Sequence, residues 1–246
     1  MPWRENTEAY FVLVSELMLQ QTQVDRVIPK FMAFIERFPN IEALAKASLA
    51  DVLSLWNGLG YNRRAKYLHE AAEYITKKMN GKLPETKDEL MKLPGVGPNT
   101  AGAVLAYSFN QPVIFIETNI RTVFFHHFFG NGDMVGDAEL KKLLEEMLDR
   151  EHPREFYWAL MDYGTWLKKH GYGSIRQSKQ YKKQSPLKGS VREVRGQIIR
   201  LLMEKDRPLF ELEILFKGDE RFESAMDGLL FDGLIQRTAG NLHLTK

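Results

Sequence analysis

Glu16 lies inside a strongly apolar run, Val12-Leu13-Val14-Ser15-Glu16-Leu17-Met18-Leu19. A carboxyl withdrawn from water there should resist ionisation, because burial penalises its charged form, and so remain available as an acid. An exposed charge on the helix's polar face is the plainer reading. A second segment suits a different task. Leu93-Pro94-Gly95-Val96-Gly97-Pro98-Asn99-Thr100-Ala101-Gly102-Ala103 carries two glycines whose missing side chains let a phosphate approach the backbone amides. Pro98, just inside the following helix, presets its first turn and gives up an amide that would be unpaired anyway. Such a turn offers donors to phosphate without reading bases. A mere tight connection between helices is the alternative.

Charge points the same way. The chain has a formal net charge of +2, yet residues 168–200 contain ten Lys or Arg against the single acid Glu193. That segment sums to +9 and leaves the remainder at −7. Segregation of this kind favours a nucleic-acid contact over a merely solvated linker. Cysteine is absent, which removes disulfides, thiolate zinc sites, iron–sulfur clusters and a cysteine nucleophile together. His126-His127 invite a metal reading, but adjacent helical residues point about 100° apart, so two core histidines are expected instead, with the neighbouring phenylalanines as core packing.

The elements that must position these groups are mostly helical. Apolar positions recur at helical spacing in 10–23, 27–37, 41–46, 49–55, 64–79, 87–93, 138–149 and 155–168. Gly, Pro and Asn punctuate them, as at Asn57-Gly58-Leu59-Gly60. Val113–Ile116 is an isolated apolar run that could be a strand or the entry to a helix at Thr118. Residues 171–189 read as a basic linker. From 190 to 246 the spacing predicts three helices and a hairpin around Ala239-Gly240, which together resemble a winged helix. No apolar run approaches the ~18 residues of a membrane span, and no secretory signal is visible at Met1-Pro2-Trp3-Arg4, so a cytoplasmic, nucleoid-associated protein is expected.

Over most of residues 2–166 the sequence resembles the helix-hairpin-helix DNA glycosylases, and within them the MutY-like branch. Pro2-Trp3-Arg4, Ser15–Val24 with its Gln20-Gln21-Thr22, Gly58-Leu59-Gly60-Tyr61, the Leu-Pro-Gly-Val-Gly hairpin and Met161-Asp162-Tyr163-Gly164 follow the family's order. The resemblance implies a mainly α fold, with two helical subdomains flanking an active-site cleft in residues 1–170. It also implies base-excision activity on duplex DNA holding a mismatch or damaged base; a monomer is expected.

Hydrolysing an N-glycosidic bond calls for an acid for the leaving base and an anion beside the developing sugar cation. The resemblance assigns the first role to Glu16 and the second to Glu117, with Asn119 beside it. The family has Asp at 117, so Glu adds a methylene; a capping or salt-bridging Glu is the alternative. Arg4 and Asn99 match base-pocket positions. Without the lyase branch's Lys at 99, little or no strand-cleaving activity is expected. Gln21 and Tyr61 match residues that fill the vacated stack, and Thr22 one near the opposite base. Gly95, Val96, Gly97 and Thr100 would hold phosphate. No cofactor is expected; the four cysteines that hold the family's cluster are missing, and Lys179, Lys182 and Lys183 are read as a phosphate clamp in their place. The implied substrate is adenine opposite guanine or oxidised guanine. Uracil, thymine or hypoxanthine release, or non-catalytic binding of distorted DNA, stay open.

Overall fold

The computed structural model describes residues 1–130, 132–181 and 183–245. A short helix, α1 (Pro2–Glu5), precedes α2 (Ala9–Leu19), which is buried on nearly every face. A helix apolar all round belongs at the centre of a core, and α2 packs against α3 (Val24–Arg37), α6 (Arg63–Lys78) and α8 (Pro98–Phe109). Helix α3 shows the opposite pattern, a narrow stripe of Val27, Phe31 and Phe34 facing inward. The short helices α4 (Ile41–Ala45) and α5 (Leu49–Trp56) pack on α6. Each begins on a side-chain cap: Asn40 accepts from the amide of Ala43 at 2.8 Å, and Ser48 from that of Asp51 at 3.1 Å. A single turn, α7 (Lys87–Leu90), leads into the hairpin before α8.

A second helical layer contains α9 (Thr118–Phe128), α10 (Asp137–Met147) and α11 (Pro153–Lys169). Gly164 of α11 lies so close to α9 that a Cβ there would stand 2.3 Å from the carbonyl oxygen of Asn119. Only glycine permits that approach.

The C-terminal unit comprises α12 (Val191–Glu204), β1 (Arg207–Pro208), α13 (Leu209–Leu215), α14 (Phe222–Phe231), β2 (Ile235–Thr238) and β3 (Asn241–Leu244). Its antiparallel sheet has the order β1-β3-β2, with Thr238 opposite Asn241 and Arg207 opposite Leu242. Ala239 and Gly240 turn the hairpin with φ of 48° and 84°, the pair of left-handed residues a two-residue turn needs. The unit is fastened to the helical part through Asp232. Its carboxylate takes Arg63 at 2.5 Å and also Arg195, while Lys66 donates to its backbone carbonyl at 2.5 Å.

Three expectations need correction. The first amphipathic stretch does not run to Gln23; α2 stops at Leu19, because the Arg64 guanidinium takes the carbonyls of Leu17, Met18 and Gln20 and Gln21 turns left-handed at φ 56°. Of the two readings left open for Val113–Ile116, the entry to a helix holds: the run is extended and leads into α9 at Thr118. His126 and His127 are exposed, not core, and so is Phe128; only Phe124 and Phe125 of that run are buried. Among the described residues no group of His, Asp and Glu could hold a metal. The stretch 171–189 is a linker only in its later part. Residues Ile175–Gln177 form a 3-10 turn, and Val135 exchanges backbone hydrogen bonds with Gln177 and Lys179 at 2.8 and 3.0 Å.

Candidate active site and DNA-facing surface

The central helix brings Glu16 into the interior at 9% exposure. Burial holds its carboxyl well above the ordinary value, and the charge of Glu117 pushes it further in the same direction. Glu117 occupies the N-cap position of α9 with an extended backbone, but its side chain caps no amide and, among the described residues, forms no ion pair. The capping role is therefore excluded. Burial raises the Glu117 carboxyl too, and the Lys168 ammonium near the end of α11 opposes that rise. Two carboxyls that feel each other's charge, one with a cation nearby and one without, tend to divide into an acid and an anion.

The surroundings hold this pair from several elements. Asn99, at the start of α8, spends both ends of its amide on Ile116: its Nδ2 donates to the Ile116 carbonyl at 2.8 Å, and the Ile116 amide donates back at 3.3 Å. It thereby fixes the residue before Glu117. Asn119 sits in the first turn of α9 with its Oδ1 sealed from solvent and without a partner among the described residues. Arg4 forms a two-pronged ion pair with Asp162 at 2.8 and 2.9 Å, its guanidinium 5.3 Å above the Trp158 ring. The partnership of Arg4 with Asp162 spans 158 positions, and nothing in local spacing announces it.

The hairpin has the form its sequence suggests. Gly95 has φ 76°, and a Cβ there would stand 2.8 Å from the Tyr67 Cβ and 3.1 Å from its ring. Among the described residues the amides of Gly97, Asn99 and Thr100 donate to no protein acceptor, so they remain for an outside anion. Val96 is buried and anchors the turn. The Thr100 hydroxyl is also buried, accepting from Gln20 Nε2 at 3.3 Å; only its amide faces outward chemistry. Gln20, which the sequence reading passed over in favour of its neighbour, thus ties the end of α2 to the hairpin.

Gln21 is exposed and left-handed, and Tyr61 is left-handed at φ 48°. Between them lies a residue that sequence reasoning missed. Arg64 is 7% exposed and bonds the carbonyls of Leu17, Met18, Gln20, Leu59 and Gly60 as well as Thr22 Oγ1. Burial lowers its guanidinium to about 10, which still leaves it charged at neutral pH. Arginine in an amphipathic helix is too common for its role to be read from spacing.

The loop that carries Tyr61 also meets the C-terminal unit. Gln184 and Arg192 both donate to the Tyr61 hydroxyl, and the Arg192 guanidinium stacks 4.7 Å from the Tyr61 ring. A cavity of about 1160 Å³ separates the loop from α12, with Gln20, Gln21 and Tyr61 on one wall and Arg192, Arg195 and Arg200 on the other. Neither Glu16 nor Glu117 lines it. Lys179 and Lys183 are exposed, with Lys179 Nζ 3.8 Å from Glu139. Lys182 lies outside the described residues.

A profile of HhH-GPD superfamily base excision DNA repair proteins matches residues 14–150. The chain belongs to this family. Among relatives of the HhH-GPD chain, the adenine DNA glycosylase of Mycolicibacterium smegmatis is 33% identical over 97% of this chain and 88% of its own length. That of Buchnera aphidicola subsp. Baizongia pistaciae is 39% identical over 67% of this chain, but the match spans only 47% of that protein. The human adenine DNA glycosylase is 35% identical over 67% of this chain and 32% of its own. Among solved structures, a thermostable thymine-DNA glycosylase superposes with a TM-score of 0.61 at 26% identity, covering 67% of this chain and 77% of that one. Endonuclease III trapped on DNA gives 0.58 at 23% identity, over 73% and 78%, which shows the shared fold. Among the described residues no helix is long and apolar enough to cross a membrane.

Proposed function

We propose that this chain removes adenine from mispaired duplex DNA, opposite guanine or oxidised guanine, by hydrolysing its N-glycosidic bond. The observation that carries the reading is the pair Glu16 and Glu117, both withdrawn from water and both held above the ordinary carboxylate range. Relatives of similar length that are adenine glycosylases support the choice of base. Glu16, protonated, gives its proton to a ring nitrogen of the flipped base, and the bond electrons leave with the base. Glu117, whose charged form Lys168 favours against the effect of burial, faces the sugar cation. Water adds to the anomeric carbon, and its proton returns to a carboxylate, restoring the pair.

The relatives' iron–sulfur cluster does not fit here. Such clusters need thiolates, and the chain has no cysteine. The segment after α11 is tied down instead by the Val135 hydrogen bonds and by Gln177 Nε2, which donates to the Gly130 carbonyl at 2.8 Å. We read the reaction as monofunctional, since Asn99 presents no amine and is engaged with Ile116.

A release screen of the purified chain on duplexes holding each mispair tests this. Adenine should be freed opposite guanine or oxidised guanine, with strand breaks only after alkali and no borohydride-trapped adduct. Release of uracil, thymine or hypoxanthine in its place would overturn the base assignment. Binding without release of any base would leave a recognition protein.

A further inference from the structure

Tyr10, Tyr107 and Tyr157 are each less than a tenth exposed. Tyr10 donates its hydroxyl to the Phe38 carbonyl at 2.7 Å, and Tyr157 donates to that of Val113 at 2.7 Å. The Tyr107 hydroxyl has no such partner among the described residues, yet it is not one of the sealed orphan atoms. It therefore opens onto some space. A mostly buried tyrosine whose hydroxyl forgoes a protein partner and opens onto space is free to take a ligand group.

The setting indicates which space. The ring is held edge-on to Phe115 at 5.8 Å and stacked with Trp158 at 6.3 Å, the indole that also carries the Arg4 guanidinium. The charges that act on the hydroxyl are Glu16, Glu117 and Arg4, and burial with the two carboxyls keeps the phenol neutral.

We propose that Tyr107 is a base-contacting, specificity-determining residue whose hydroxyl hydrogen-bonds the C6 substituent of the flipped purine. This rests on the glycosylase reading above. Four of the neighbouring groups are otherwise committed, and the unpartnered Asn119 Oδ1 is sealed from solvent. Glu16 must deliver its proton to the ring, both Asp162 oxygens hold Arg4, both ends of Asn99 hold Ile116, and Arg4 can only donate. A tyrosine hydroxyl both accepts and donates, so it suits an amino group or a carbonyl at C6.

Tyr107→Phe removes the oxygen and keeps the ring packing. Single-turnover release by wild type and variant would be compared on duplexes carrying adenine, hypoxanthine or unsubstituted purine at one position. The variant should lose about tenfold on adenine, the worth of one neutral hydrogen bond, lose similarly on hypoxanthine wherever wild type releases it, and lose nothing on purine. Duplex affinity and melting temperature should stay unchanged. An equal loss on adenine and purine, or no loss on adenine, would overturn the inference while leaving the glycosylase reading intact. Failure of the wild type to release any of the three bases would overturn both.

Discussion

Glu16 is placed where its chemistry and its cost to stability have the same origin. Its folded-state ionisation is raised by burial, so its neutral form favours folding at acid pH, and that contribution is lost as pH rises through the raised value. Glu16→Gln should abolish base release while leaving duplex affinity nearly unchanged. The variant should also melt above wild type at neutral pH, with the gap closing as pH falls toward the ordinary carboxylate value of 4.5. Melting curves across pH test this; a constant gap would mean Glu16 ionises freely. Lys168 has the complementary role, since its ammonium favours the charged form of Glu117. In Lys168→Met the Glu117 carboxyl should rise further, moving the acidic limb of the release profile to higher pH. An unmoved limb would remove Glu117 from the charged role.

Between residue and domain, the decisive contacts are those that stop helices and bring them close. Arg64 ends α2 and anchors the loop that presents Tyr61, serving five carbonyls and one hydroxyl from a single guanidinium. Arg64→Met fills similar volume but orphans the Leu17 and Met18 carbonyls in the core, whereas those of Gln20, Leu59 and Gly60 keep contacts with Thr22 or Trp56. The expected loss is roughly 3 kcal/mol or more, because each buried polar group left unpaired costs about 1–3 kcal/mol. Urea unfolding would measure it, and a loss below about 1 kcal/mol would show that water replaces the guanidinium. Gly164 performs a quieter task. The close approach it allows lets α11 pack on the first turn of α9, where Asn119 sits.

Across the whole molecule, charge is divided between a basic segment and an acidic remainder, and the structure puts parts of that segment to different uses. Arg195 is neutralised on Asp232, Arg192 lies on Tyr61, and Lys179 and Lys183 stay exposed. The contact of Lys179 with Glu139 is a surface pair, worth about 1 kcal/mol or less, and would not withhold the lysine from phosphate. Replacing Lys179 and Lys183 by alanine should flatten the dependence of log affinity on log salt by about 1.8, near 0.9 per phosphate contact, for matched and mismatched duplexes alike. Salt titrations check this. An unchanged slope would reduce the segment to a solvated tether, whereas a loss confined to mismatched DNA would implicate it in lesion recognition.

The sequence by itself determined much about this protein because several signals are local. Helical periodicity set most of the helices, Gly95 and Pro98 set the hairpin, Ala239-Gly240 set the terminal turn, and missing cysteines removed a thiolate cluster. Glu16 was legible as a candidate acid because its apolar neighbours within one helix already imply burial. What only the tertiary structure decided depends on contacts between distant positions. Spacing could not show that Asn99 clamps Ile116, that Arg4 pairs with Asp162, or that Arg64 ends α2 before Gln23. Nor could it show that His126 and His127 face solvent, since a short apolar run does not say which face its neighbours cover. Periodicity reports the surroundings of a helix in its own sequence; the partner of a buried polar group is chosen by whichever remote element packs against it.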